Sequence, residues 1–502
     1  MQLPIMTCAE MRRIEEAAFA AGATAACLME EVGRQIAQAV GQTVFRPGRA
    51  LVFYGKGNNG GDALVAARYL AGAGWEIELH AQERDAAKLG ELTRAKLGEL
   101  EAAKGGTGRR ELGPRVTVIL DGLLGIGTTG ALREDVRALT REINARRIED
   151  GARVFAVDLP TGLNGDTGEA DADCVVADCT VTAGYAKRGL VADGASAFVG
   201  RLCVAALKEF EPHAPASFDG ETATPESLHG LLPRRNFDSY KNQYGRVGIV
   251  AGSPGFTGAA VLCANGALRG GAGLVTVYAS HDIQPILAVA APPEVMVQPV
   301  KSYSEVLDAK HDVLALGPGL GRHHAGAILS LIEHATVPMV LDADGLNVVA
   351  LHEAGMLGRC AGPRLLTPHP GEMARLYPQA KELSRVETAT RFTGQFADAR
   401  FPITLMLKGS RTIIHERGKP VSYNTTGNPG MGTGGMGDVL TGVCAALIGQ
   451  HLAPYDAARM GAWLCGRAAE IALRRRSEES LAAMDVVEAL GWGFRVMGRG
   501  FL

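Results

Sequence analysis

A chain of 502 residues exceeds what one core commonly serves, so two or three domains are expected. Hydrophobic residues make up 47% and charged residues 21%, as in a soluble globular protein. The formal net charge of −3 supplies neither the basic footprint of a nucleic-acid binder nor an acidic tail.

The first residues, MQLPIMTCAEMRRIEEAA, lack the apolar core of a signal peptide, and no run of about eighteen apolar residues reads as a membrane span. The nine cysteines form no C-x-x-C pair and have no histidine cluster beside them. That argues against a zinc site or disulfide framework and for reduced thiols in a cytoplasmic protein.

Met11, Ile14 and Ala18, then Leu28, Val32, Ile36 and Val40, recur at helical spacing and predict helices across residues 7–42. Residues 50–70, ALVFYGKGNNGGDALVAARYL, read as a strand, a glycine loop and a helix. The same grammar repeats where residues 116–120 run into DGLLGIGTTGAL and residues 154–157 into DLPTGLNGDTG. Each strand ends on an aspartate or a glycine loop, at the edge where open parallel sheets place ligands.

The loop GKGNNGGD is not the dinucleotide fingerprint, because its glycines are wrongly spaced. Asn58 and Asn59 offer side-chain carbonyls, and Gly60 and Gly61 offer backbone N–H groups. Such a loop suits an anion on one face and a hard cation on the other. Asp121, and Asp158 with Thr161, are placed by this topology on the same sheet edge. There they act as oxygen donors and proton-transfer groups, or as loop caps.

Residues 211–225, EPHAPASFDGETATP, have no apolar period and read as a linker. A second strand–loop–helix series follows, so the chain reads as two α/β domains, 1–215 and 225–502. The series closes on residues 424–442, NTTGNPGMGTGGMGDVLTG, a glycine loop ending on Asp438 before an apolar helix. Bare N–H groups and a helix N-terminus suit a phosphate there, and Asp438 is placed to take a proton from a hydroxyl beside it. The alternative is a surface turn with a helix cap.

These motifs carry a resemblance. MTCAEMRRIEE, GKGNNGGD, DGLLGIGTTG, DLPTGLNGDTG and TVTAGYAKRGL resemble the NAD(P)H-hydrate epimerase family over about residues 1–210. The resemblance implies a Rossmann-like three-layer α/β/α domain and a potassium ion on Asn59, Asp121 and Thr161. It places the hydrate substrate against Asn58, Asn59, Gly60, Gly61 and Asp62, against Gly125, Ile126, Gly127, Thr128, Thr129, Gly130 and Ala131, and against Asp158, the expected proton-transfer group at C6. Ala63 stands where the family more often has glycine, and Thr161 where serine is usual.

GRVGIVAGSPGFTGAA, LALGPGLG, VLDADGLN, LTPHPGEMARL, LKGSRTII and the 424–442 stretch resemble the ribokinase-like NAD(P)H-hydrate dehydratases over about residues 225–495. This implies a second three-layer α/β/α domain using an adenine nucleotide and Mg²⁺. Lys408, Gly409, Ser410, Arg411, Thr412 and Gly437 would line the nucleotide; Ala260, Gly319, His369 and Asp438 would face the hydrate. Asp438 would deprotonate the C6 hydroxyl for attack on the terminal phosphoryl. Asp344 either orders a Mg²⁺–water shell or caps its loop, and His369 is a substrate contact or a structural residue.

Tyr240 and Asn242 replace the family's usual His and Gly in a segment expected over the nucleotide. The epimerase-first fusion resembles bacterial members that use ADP, so ADP is the expected donor. The expected partners are NADHX, NADPHX and ADP, with assembly into a homo-oligomer, as is common among related chains. The competing readings are a ribokinase-type small-molecule kinase fused to a nucleotide-binding domain, and a nucleotide- and potassium-binding regulator without turnover.

Overall fold

The structure, a computed structural model, describes residues 3–104, 115–127, 130–321, 323–352 and 354–499. The chain divides into two compact units, Leu3–Phe218 and Asp219–Leu502.

In the first unit, six strands are Arg49–Tyr54 (β1), Glu76–Ala81 (β2), Val116–Gly122 (β3), Arg153–Val157 (β4), Cys179–Ala183 (β5) and Arg201–Ala205 (β6). They form an all-parallel sheet in the order β2-β1-β3-β4-β5-β6. Residues 50–54 of β1 and 154–157 of β4 are buried without alternation, the pattern of strands covered on both faces. One cover is helix Glu134–Glu149, which sends Val136 and Ile143 among Leu51, Phe53, Ile119 and Val154. Helix Asn58–Gly72 packs on β1 and β3, and helix Ala25–Thr43 approaches it so closely that a Cβ at Gly33 would lie 2.4 Å from Val65. The order reverses between β1 and β3, so the crevice at their carboxyl ends is where this topology builds a site.

Helix Cys8–Ala20 opens with a capping box, in which Thr7 accepts from Glu10 N–H while the Glu10 carboxylate accepts from Thr7 N–H. Met6 bridges to Lys187 through Met6 N–H to Ala186 O (2.9 Å) and Arg188 N–H to Met6 O (2.8 Å).

In the second unit the strands are Gly220–Ala223 (β7), Arg246–Val250 (β8), Leu274–Ser280 (β9), Val295–Val300 (β10), Val313–Leu316 (β11), Met339–Leu341 (β12), Arg364–Leu366 (β13), Ile403–Leu407 (β14), Ile413–Glu416 (β15) and Val421–Asn424 (β16). Their order is β7-β16-β15-β14-β13-β12-β11-β8-β9-β10. Every pairing from β10 to β14 is parallel; β15 is antiparallel to both its neighbours. The switch point lies between β8 and β11.

Part of the expected linker is structured. Lys208–His213 is a 3₁₀ turn, and β7 pairs in parallel with β16. Buried Glu221 of β7 meets Arg459 on helix Pro454–Ala472 at 2.6 Å, so a four-residue strand too short to show a period is held by an ion pair. Among the described residues, no helix is long and apolar enough to cross a membrane.

Candidate active sites

At the first switch point, Asp121 ends β3 and is fully buried. Its carboxylate accepts from Thr161 Oγ1 (2.7 Å), Thr161 N–H (2.8 Å) and Leu123 N–H (3.3 Å). Burial pushes this carboxyl up to about 6, against the pull of those hydrogen bonds. All its partners are neutral donors; among the described residues no cationic side chain pairs with it. A buried carboxylate beside a threonine hydroxyl is a hard-oxygen pair short of one positive charge. Asn59 Nδ2 donates to Leu124 O at 3.0 Å, leaving Oδ1 directed at Gly125.

Asp158, after β4, has φ +66°, a left-handed conformation that costs a non-glycine residue free energy. Its Oδ1 accepts from Lys187 Nζ (2.5 Å), Thr182 Oγ1 (3.1 Å) and Ala183 N–H (3.3 Å). Its Oδ2 faces the loop after β3, because a Cβ built on Gly125 would lie 3.3 Å from that oxygen and 3.2 Å from Asn59 Oδ1. Glycine at 125 thus keeps the space between the two groups open. Arg12 holds the same loop by donating to Ile126 O at 2.5 Å. Asp62, just past the first turn of helix Asn58–Gly72, is raised well above the usual carboxylate range by burial, then by Asp158 and Glu15.

Two of the four glycines of GKGNNGGD do not present free N–H groups: Gly60 and Gly61 both donate to Gly57 O as the first helical turn. They are glycine for packing, since a Cβ would meet Gly55 O at 2.1 Å or Met29 at 2.5 Å. Asn58 is exposed at the helix start. Ala63 is fully buried, its methyl against Gly122, which has no room for a Cβ of its own. Gly127, Gly130 and Ala131 are exposed, while Thr128 and Thr129 lie outside the described residues.

In the second unit the carboxyl ends of β12 and β14 bring Asp342 and Lys408 together. Lys408 Nζ donates to Asp342 Oδ1 at 2.6 Å, and Thr441 Oγ1 donates to Asp342 Oδ2 at 2.9 Å. Helix Met436–Gly449 starts from Gly435 at φ +87° and points its first turn at this pair. A Cβ on Gly437 would lie 3.3 Å from Lys408 Nζ and 3.4 Å from Asp342 Oδ2.

One residue on, Asp438 is pushed up to about 7 by burial and by Asp342, with Lys408 acting in the opposite sense. Lys408 is itself raised, because Asp342, with Glu372 and Asp438, outweighs burial. Helix Thr257–Arg269 lies alongside with no side chain between: Gly442 and Gly266 approach the carbonyls of Cys263 and Val439 where no Cβ would fit. A poised carboxyl, a lysine and free helix N–H groups can bind an anion and move a proton beside it.

Ala260 is fully buried and Gly319 takes φ +58° after β11. Gly409 and Ser410 are exposed, whereas Arg411 and Thr412 are buried behind them. His369 caps helix Pro370–Leu376: Nδ1 accepts from Gly371 N–H (3.0 Å) and Glu372 N–H (3.3 Å), and Nε2 lies 3.6 Å from Glu372 Oε1. Asp344 is a loop cap, accepting from Gly321 N–H (2.9 Å) and Asn347 Nδ2 (3.1 Å).

The segment carrying Tyr240 and Asn242 does not reach over residues 408–412. Arg235 donates to Gly271 O, and Gly273 N–H to Tyr244 O, at the amino-terminal ends of β8 and β9. Two groups escaped the sequence reading, Lys187 and the Asp342–Lys408 pair. A lysine inside the small, apolar run VTAGYAKRGLV was the available signal, since lysine is almost never fully buried without a partner.

Two known families match the chain. One described as NAD(P)H-hydrate dehydratase matches residues 247–490, and one described as YjeF-related protein N-terminus matches residues 25–189. The bifunctional NAD(P)H-hydrate repair enzyme Nnr of Moorella thermoacetica is 37% identical, over 93% of this chain and 92% of its own. Its namesake in Escherichia coli is 35% identical, over 96% and 92%. Among solved structures, an ADP/ATP-dependent NAD(P)H-hydrate dehydratase from Bacillus subtilis, co-crystallised with ATP and Mg²⁺, is 28% identical, covers 55% of this chain and 97% of that one, and superposes with a TM-score of 0.46.

Proposed function

The chain belongs to the family of bifunctional NAD(P)H-hydrate repair enzymes, and we propose how its residues divide the work. It is an NAD(P)H-hydrate epimerase and dehydratase in one chain. In our reading the first unit interconverts the R and S epimers of hydrated NADH and NADPH, with Asp158 exchanging the proton of the C6 hydroxyl. Asn58, Asn59, Asp62, residues 125–131 and Asp158 surround the hydrate. The single observation supporting this is that Asp158 is strained and held through one oxygen, with its other oxygen facing the Gly125 space.

Potassium fits the first site, because Asp121 is a buried carboxylate that has no cationic partner among the described residues and lies beside the Thr161 oxygen, while Asn59 turns its amide oxygen to the loop that follows. When bound, the ion would balance the Asp121 charge. The second unit dehydrates the S epimer at the expense of ADP. Residues 408–412 and Gly437 hold the nucleotide; Ala260, Gly319 and His369 contact the hydrate. Asp438 takes the C6 hydroxyl proton, and that oxygen bonds to the terminal phosphorus of ADP as the bridging P–O bond breaks and AMP leaves with its electron pair, while Lys408 and the N–H groups at the start of helix Met436–Gly449 receive the charge. Phosphate then leaves C6 with its bonding electrons as C5 gives up a proton to solvent, and reduced nicotinamide re-forms. Among the described residues no cluster of three metal-ligating side chains exists, so Mg²⁺ would arrive on the nucleotide's phosphates.

Two variants test the division. Asp438→Asn is expected to slow dehydration at least ~100-fold with epimerisation intact, and Asp158→Asn the reverse. A variant that keeps full turnover in its own reaction removes that residue from its role.

A further inference from the structure

Lys187 is 1% exposed, a burial that a lysine tolerates only when its charge is met. It carries three hydrogens, and each has an acceptor: Asp158 Oδ1 at 2.5 Å, Ala183 O at 2.9 Å and Thr182 Oγ1 at 3.0 Å. No hydrogen is left for a substrate. Asp158 Oδ1 is saturated in turn by Lys187, Thr182 and Ala183, while among the described residues no hydrogen bond reaches Oδ2. The lysine stands beside the Met6 bridge, which anchors its backbone.

Resting on the assignment of Asp158 above, we propose that Lys187 is the positioning residue of epimerisation. Its ammonium locks the Asp158 carboxylate through Oδ1 and leaves Oδ2 as the one oxygen that exchanges a proton with the C6 hydroxyl. The carboxylate takes that proton as the C6–N1 bond opens, its electron pair passing to nitrogen; closure on the other face returns the proton and inverts C6. The ammonium also offsets the strain of the left-handed backbone at 158, which a lone aspartate would relax by turning away.

Other charged groups face the pair. Glu15 on helix Cys8–Ala20 and Asp62 on helix Asn58–Gly72 both feel Lys187 and Asp158, Arg12 lies beside Glu15, and the Cys8 thiol is raised to about 11 by burial and then by Asp166. Removing Lys187 therefore takes away the ammonium paired with Asp158 and leaves Glu15 and Asp62 around it.

The test uses the whole chain, with the dehydratase reaction reporting each epimer. Lys187→Met is expected to lower the epimerisation kcat ~100-fold or more, with KM changed less than about threefold. The acid limb of the kcat profile should move up by about one pH unit, since a lost cation raises the carboxylate beside it. Adding Asp158→Asn should cost nothing further, because Lys187 acts only through Asp158.

A raised KM at unchanged kcat, an unmoved acid limb, or a loss that adds to that of Asp158→Asn would overturn the proposal. If Lys187→Met does not fold, Thr182→Val decides. It is expected to lose about tenfold in kcat with an upward limb shift, and an unaltered profile overturns the proposal. Failure of the wild-type chain to epimerise would instead remove the reading of the first unit on which this rests.

Discussion

Asp438 carries the clearest pH dependence at the residue scale. Its carboxyl is raised to about 7, so the base form disappears as pH falls through that value. The kcat/KM of dehydration is expected to rise with pH to a plateau above an acid limb near there. Lys408→Met removes a cation that lowers this group, so the limb should move to higher pH. Asp121 gives a second prediction. Protonated below about 6, it cannot balance a cation. Potassium, compared with an equal concentration of a bulky organic cation, should raise the melting temperature of the first unit at pH 7.5, lose that effect as pH falls through about 6, and have none on Asp121→Asn. These carboxylates were legible in the sequence because Asp121 ends a strand that an apolar run announces and Asp438 ends a glycine loop before an apolar helix. Lys187 was not, since its partner lies in another strand–loop unit and only the fold joins them.

At the scale of elements, strand–loop–helix grammar was legible because parallel strands covered on both faces are continuous apolar runs. What failed were readings that depend on where backbone groups end up. Gly60 and Gly61 look like anion donors until the helix that they begin consumes their N–H groups. The stretch 211–225 looks like a linker because a strand of four residues has no period to read. Gly125 shows the opposite case, a glycine whose missing Cβ is the site's open space. Gly125→Ala should cut epimerisation by about 10–100-fold through displacement of Asn59 and Asp158, with little change in stability.

Arg364 holds an element from outside it. Its buried guanidinium donates to the carbonyls of Ile332, Ala335 and Val337, closing the C-terminus of helix Ala325–His334 without a carboxylate partner. Arg364→Met leaves those carbonyls unmet and should destabilise the second unit by about 2–4 kcal/mol in denaturant titration. Epimerisation, carried by the other unit, should be unchanged under native conditions.

For the whole molecule, a related solution appears twice: parallel strands carry the candidate site at their carboxyl ends, at the switch point in the first unit and after β12 and β14 in the second. The two sites differ in what burial does to their acids. In the first, one aspartate is tied to a lysine and another lacks a cation; in the second, a lysine–aspartate pair sits beside a carboxyl left near neutrality. Placing both in one chain matches a substrate that exists as two epimers, only one of which the second site consumes.

The most direct measurement mixes the wild-type chain with R and S NADPH hydrate, ADP, K⁺ and Mg²⁺, and follows the absorbance of reduced nicotinamide. Complete recovery is predicted, with the R fraction regained much faster than it epimerises unaided, and with Asp158→Asn slowing to that unaided rate after the S fraction. No recovery with either ADP or ATP, or an R fraction regained only at the spontaneous rate, would contradict the account.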